Sequence, residues 1–102
     1  MGGFYIPEAG VTKETTTFFE ARNQGLVAAK CQDLASLTNS LVLCLFMVDG
    51  GDWALGDVKE MFNAITGWEY SANDLLEAGE RGFTVQRLIN LRDGYDAKTD
   101  VL

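Results

Sequence analysis

The sequence predicts an all-α fold, a compact helical domain of about three to five helices. Three observations carry that expectation. A single proline, Pro7, leaves Gly10 to Leu102 free of the strongest helix breaker. Apolar residues recur at steps of three and four. Glycine is common, at 11 of 102 residues, and several stand where a helix would stop. The length suits one domain, and 47% hydrophobic residues suffice to build its core.

Residues 1–14 have no clear period and include Gly2, Gly3, Pro7 and Gly10. They predict an irregular, weakly anchored lead-in to a helical domain over 15–102. From Thr15 to about Met47 the pattern is helical, in one piece or two. Its weak points are Gln24-Gly25 and Thr38-Asn39-Ser40, where short polar side chains compete with the helix for backbone groups. Leu34, Leu37, Leu41 and Cys44 or Leu45 would share a face. Asp49-Gly50-Gly51-Asp52 reads as a loop. A helix over Leu55–Thr66 follows, with Val58, Met61, Phe62 and Ile65 on one side and Gly67 as its stop. Ser71-Ala72-Asn73-Asp74 has the form of a capping box with Asp in the last place. It opens a helix running to about Arg92 and closed by Gly94. At about 100° per residue, Leu75, Ala78, Gly79, Gly82, Val85 and Ile89 fall on one arc of it. Asp74, Glu77, Glu80, Arg81 and Arg92 fall opposite. Gly79 and Gly82 each cost about 1 kcal/mol of helix propensity relative to alanine, so close approach of another helix is expected there. The tail from Tyr95 is polar and is expected to fray.

Composition excludes several functions. Net charge is −7, with only eight Lys and Arg residues and no basic stripe. Neither nucleic acid nor an anionic membrane surface is an expected partner. The longest uncharged apolar run, Leu41 to Val48, is eight residues. A membrane span needs roughly 20, so the run reads as a buried segment. The start, Met1-Gly2-Gly3-Phe4, lacks the basic and apolar regions of a signal peptide. A cytoplasmic location is expected. The absence of histidine removes the usual general base near neutral pH, and with it any self-contained Ser-His or Cys-His enzyme. No catalytic residue is expected in the chain itself.

Cys31 and Cys44 are thirteen residues apart. On one helix that is about 20 Å at 1.5 Å per residue, beyond the roughly 7 Å a disulfide tolerates. Inside an apolar run Cys44 reads first as a small buried hydrophobe. As a thiolate it would suit an iron–sulfur cluster or zinc, but both need about four ligands. Two cysteines and no histidine cannot complete such a site, so other ligands would have to come from elsewhere. Cys31 reads as core or surface. Asn39 and Ser40 read as a local kink or cap rather than a binding pair. Glu77 and Arg81 form an i, i+4 pair on a solvated face.

Four segments together go beyond composition. Asn39-Ser40-Leu41-Val42-Leu43-Cys44-Leu45-Phe46 comes first. Ala64-Ile65-Thr66-Gly67-Trp68 and Leu76-Glu77-Ala78-Gly79-Glu80-Arg81 follow. Arg87-Leu88-Ile89-Asn90-Leu91-Arg92-Asp93-Gly94 is last. In this order and spacing the chain resembles, over roughly three quarters of its length, the C-terminal domain of the tungsten-containing aldehyde:ferredoxin oxidoreductases. The resemblance implies an all-helical domain of a larger enzyme that oxidises aldehydes to carboxylic acids and passes the electrons to ferredoxin. It implies a tungsten, or molybdenum, bis-pterin cofactor beside a 4Fe-4S cluster. Three cluster cysteines lie in an earlier domain of the family, and the fourth matches Cys44. The family Asp that contacts the pterin matches Asn39, and the residue matching Leu43 lies beside the cofactor. The remaining domains of the parent enzyme and ferredoxin are the implied partners. Alone, the chain is expected to be inactive, to hold no cofactor and to self-associate through an uncovered helical face. Two departures are physical. Asn39 keeps the acceptor of the family Asp and loses its charge. Val42 stands where the family often has glycine. An alternative reading is a non-catalytic helical scaffold that has lost cofactor binding.

Overall fold

The computed structural model describes residues 6–12, 24–48 and 53–100. Among them four α-helices follow one another: α1 (Gln24–Ser40), α2 (Leu45–Val48), α3 (Leu55–Thr66) and α4 (Ala72–Arg92). No β-strand occurs among the described residues, and the all-α expectation holds. The expected start of the first helix at Thr15 and the expected loop Asp49 to Asp52 lie outside the described residues.

The first helix breaks at the second of its two weak points. Thr38 Oγ1 donates to the Ala35 carbonyl at 3.0 Å and Ser40 Oγ to the Ser36 carbonyl at 2.8 Å, so side chains take up carbonyls near the helix end. The chain then closes in a Schellman turn. The Leu43 N–H donates to the Thr38 carbonyl at 2.9 Å and the Val42 N–H to the Asn39 carbonyl at 3.1 Å. Such a turn needs one left-handed residue, and here it is Val42, with φ 58°. For a residue with a Cβ that conformation costs about 1–2 kcal/mol.

The two later helices begin and end as their sequences predict. The Asp57 carboxylate accepts from the Ala54 N–H at 2.8 Å ahead of α3. Gly67, with φ 73°, closes it by donating to the Asn63 carbonyl at 2.9 Å. Ser71 and Asp74 cap α4 reciprocally: the Asp74 N–H donates to Ser71 Oγ at 3.1 Å, and the Ser71 N–H to Asp74 Oδ2 at 2.8 Å. The Ser71 hydroxyl and then its N–H, both donating to the Asp74 carboxylate, hold that group below the usual carboxylate range.

The main packing is α1 against the first half of α4. Both expected glycines sit in that contact. A Cβ on Gly79 would run into the Asp33 carbonyl and lie 3.2 Å from Leu37 Cβ; one on Gly82 would lie 2.8 Å from Ser36 Oγ. Their lack of a side chain is what brings the backbones together. The core collects Leu34 and Leu37 of α1, Leu55 and Val58 of α3, Leu75 and Leu76 of α4, and Val48. Asp33, almost buried, pairs with Lys30 Nζ at 3.6 Å.

Four expectations are corrected. The described part of the lead-in is anchored: Ile6 and Val11 are buried in the core and exchange backbone hydrogen bonds around a 3-10 turn, Pro7–Ala9. Two apolar residues five apart suffice to pin it. Cys44 and Leu45 do not continue the Leu34–Leu37 face, because the helix has ended; of Leu41 to Val48 only Val48 is buried. The predicted arc of α4 is covered only at Leu75, Gly79 and partly Gly82; Ala78 is exposed beside Gly79 while Leu76 is buried, so the contact face is turned from the predicted arc, and Val85 and Ile89, beyond the stretch that packs on α1, are exposed. Finally, residues 95–100 are tied down. The Asp96 carboxylate accepts from the Lys98 N–H at 2.8 Å and the Thr99 N–H at 3.0 Å, and Asp100 pairs with Arg87 at 3.2 Å. Those two backbone donors, Lys98 first, hold the Asp96 carboxyl below its ordinary range.

Candidate functional site

Asn39, Leu43 and Cys44 come together in the turn between α1 and α2. Asn39 lies in the last turn of α1 with its side chain exposed. Its carbonyl accepts the hydrogen bond that closes the Schellman turn. Leu43 is half-buried and packs against the core. Cys44 is exposed, and its carbonyl accepts from the Met47 N–H at 3.1 Å as α2 begins. Burial alternates along the turn: Leu41 and Leu43 are partly buried, while Val42 and Cys44 are exposed.

The surroundings of Cys44 are apolar and open. Val42 is 90% exposed, Phe46 81%, and Leu45 and Met47 are also exposed. Beside this ledge lies a cleft of about 250 Å³ lined by Leu41, Leu43, Met61, Phe62, Ile65 and Thr66. Its rim continues into Ile65 and an aromatic triad. Phe62, Trp68 and Tyr70 meet pairwise with ring centroids 5.6–5.9 Å apart. Asn63 fixes that triad with two hydrogen bonds: its side-chain amide donates to the Tyr70 carbonyl at 2.9 Å, and its Oδ1 accepts the Tyr70 N–H at 3.0 Å.

Cys31 sits elsewhere, half-buried on α1, and the two cysteines form no disulfide. Among the described residues no group of three or more His, Cys, Asp or Glu side chains could hold a metal ion. The turn therefore offers one exposed thiol and no complete ligand set. None of the described helices is long and apolar enough to cross a membrane. Sequence reasoning missed the cleft and the Asn63–Tyr70 clasp. The period of α3 pointed to Phe62 and Ile65, but nothing in it says that Ile65 lies beyond the packed core. The left-handed conformation at Val42 was also missed, since the residue itself is a valine; the one signal for it was that Val42 stands where the resembled family often has glycine.

Residues 2–102 match the family model described as aldehyde ferredoxin oxidoreductase, domains 2 and 3. The chain belongs to that family. Relatives include the tungsten-containing aldehyde ferredoxin oxidoreductase of Thermococcus kodakarensis, 41% identical over 69 residues. Those of Pyrococcus abyssi, 42% identical over 72 residues, and Pyrococcus furiosus, 39% over 69, are similar. The matches cover 68–70% of this chain but only 11–12% of the relatives' length. No solved structure matches the chain significantly.

Proposed function

We propose that this chain serves as a helical part of a tungsten-containing aldehyde ferredoxin oxidoreductase, with residues 15–102 as its helical unit and Cys44 as one ligand of an iron–sulfur cluster. The observation that carries the reading is the exposure of Cys44 within an otherwise apolar segment. A cysteine kept for packing would be buried. This one is presented to solvent on a turn held by two backbone hydrogen bonds and by the inward Leu41 and Leu43. The donor set fits a shared cluster: a single soft thiolate from this chain, with the other ligands supplied by other parts of a longer polypeptide.

Asn39 and Leu43 belong to the same reading as the pterin-facing residues. The exposed Asn39 amide offers one acceptor and two donors, suited to the polar edge of a pterin. Leu43 offers an apolar contact from a position fixed by the core. When bound, the cluster would carry single electrons between the tungsten pterin and ferredoxin. The contribution of this chain is to hold the thiol, orient the amide and exclude water with the surrounding apolar side chains. Its partners in this reading are the remaining domains of the enzyme and ferredoxin, in the cytoplasm.

The test uses the complete oxidoreductase polypeptide containing this segment. Cys44→Ser should lower bound iron and abolish the cluster's electron paramagnetic resonance (EPR) signal, while Cys31→Ser should leave both intact. A full cluster in Cys44→Ser would overturn the assignment. The second reading, a scaffold without cofactor, is favoured by one observation, the bare apolar second half of α4. It would stand if Cys31→Ser and Cys44→Ser were equally silent while substitutions on that half disrupted assembly.

A further inference from the structure

The face that α4 leaves bare is not an extension of the face that packs on α1. Arg81, Val85, Leu88 and Arg92 follow one another at steps of four, three and four, so they form a single stripe along the helix. At about 100° per residue that stripe lies roughly 120–180° round the helix from Gly79, where the Asp33 backbone of α1 touches it. All four residues are exposed, Val85 and Leu88 by more than half. Helix α1 covers one side of α4 and leaves the other to a different element.

Charge narrows what that element is. Residues 81–92 hold three arginines and no carboxylate, in a chain of 15 acidic and eight basic residues. Arg87, off the stripe, is tied to Asp100 at 3.2 Å. Among the described residues Arg81 forms no ion pair, even with Glu77 one turn back, and Arg92 reaches only its neighbour Asp93, at 3.1 Å. The stripe is two apolar residues bracketed by arginines roughly 16 Å apart at 1.5 Å per residue. A second copy fits it poorly. In the register that lays apolar on apolar, antiparallel copies set Arg81 against Arg92, and parallel copies set each arginine against itself. Like charges so opposed repel. Sliding the copies until Glu77 meets Arg92 puts Arg81 on Leu88. Only weak, unregistered contact between copies is left. The relatives point to another occupant: the matched regions make up 11–12% of their length, so most of such a polypeptide lies outside this one.

We propose that the Arg81, Val85, Leu88 and Arg92 stripe docks on the remaining domains of the enzyme, at an apolar patch flanked by two carboxylates, with α4 as the strut between those domains and α1. The inference rests on the reading of this chain as a helical part of a longer oxidoreductase, and it names the surface and the chemistry of that contact. Each guanidinium forks onto one carboxylate. Val85 and Leu88 make the apolar contact between them.

The test uses the complete, cluster-loaded polypeptide. In hydroxyl-radical footprinting Leu88 should react at least about tenfold more slowly than in the unfolded polypeptide. Arg81→Glu combined with Arg92→Glu should abolish that protection, while Arg87→Glu should leave it. Zero-length carbodiimide coupling of Arg81→Lys, which keeps the charge, identifies the occupant: the coupled carboxylate should lie outside residues 1–102. Full reactivity of Leu88 in the native polypeptide would overturn the proposal. So would protection indifferent to the double reversal, or coupling confined to Glu77 and other carboxylates within 1–102. The cluster's EPR signal is read beside the footprint. A reactive Leu88 with the cluster lost only in Cys44→Ser removes the docking face alone. A protected Leu88 with a full cluster in Cys44→Ser removes the ligand assignment alone.

Discussion

The two halves of α4 carry the same kind of sequence and meet different fates. From Ala72 to Gly82 the helix lies on α1: Leu75, Leu76 and Gly79 are buried, and the Gly79 backbone touches that of Asp33. From Phe83 to Arg92 the apolar residues Phe83, Val85, Leu88, Ile89 and Leu91 are all exposed. Both halves are amphipathic, and both keep their hydrogen bonds. What separates them is only whether another element is there to receive the apolar face. The same contrast runs through α3, where Val58 is fully buried and Ile65, two turns on, is 78% exposed. An amphipathic pattern specifies a surface that is to be covered, and leaves open what covers it.

The contrast can be broken most sharply by one substitution made twice. Leu75→Ala should destabilise the chain by about 2–5 kcal/mol, as buried leucines do. Leu88→Ala should stay within about 0.5 kcal/mol. Equal losses in urea unfolding would mean that the second half is covered after all. Gly79→Ala comes next. Its Cβ meets backbone, so overpacking of about 1–3 kcal/mol should outweigh the gain in helix propensity. Gly82→Ala meets only the Ser36 hydroxyl, which can rotate away, and should lose less. The order of the two midpoints tests where the helices are closest.

Smaller effects sharpen the same picture. Val42→Gly should stabilise the chain by about 1 kcal/mol, because relief at φ 58° exceeds the extra chain entropy of glycine. A lower melting temperature would show the turn to be unstrained. The bare half of α4 should cause weak self-association. Ile89→Lys should make the sedimentation coefficient independent of concentration without moving the melting temperature; a wild-type chain already monomeric at all concentrations would contradict this. The smallest effect is electrostatic. Asp74 and Asp96 have carboxyls held below their ordinary range in the fold. Each binds its proton less readily folded than unfolded. Their contribution is present above the unfolded pKa of about 3.9 and is lost as pH falls through the lower folded value. Asp74→Asn should flatten the acid limb of stability against pH; an unchanged limb would mean that the caps do not couple to folding.

The parts of the fold legible in the sequence are those set by local chemistry. The Ser71–Asp74 cap, the Gly67 stop and the extents of α3 and α4 follow from side chains that satisfy helix ends within a few residues. Gly79 and Gly82 were legible as contacts because their propensity cost needs a reason. The candidate site was legible differently. Asn39, Leu43 and Cys44 stood out through an ordered set of motifs, while the residues themselves, taken singly, read as a kink and a buried hydrophobe. The exposure of Cys44 could not be read, because it depends on where α1 stops. That stop turns on Thr38 and Ser40 bonding back to carbonyls and on a valine taking a left-handed conformation, against its own preference.

By itself, then, the sequence determined the helical class, the caps, the glycine contact and the family. Each depends on neighbours along the chain or on motif order. Only the tertiary structure decided that Ile6 and Val11 close the core, that Cys44 faces outward, and that half of α4 is left bare. Those outcomes depend on which surfaces meet. Burial is non-directional and rewards any apolar surface equally, so the pattern of a helix says which residues can be buried, and only the arrangement of the other elements says which of them are.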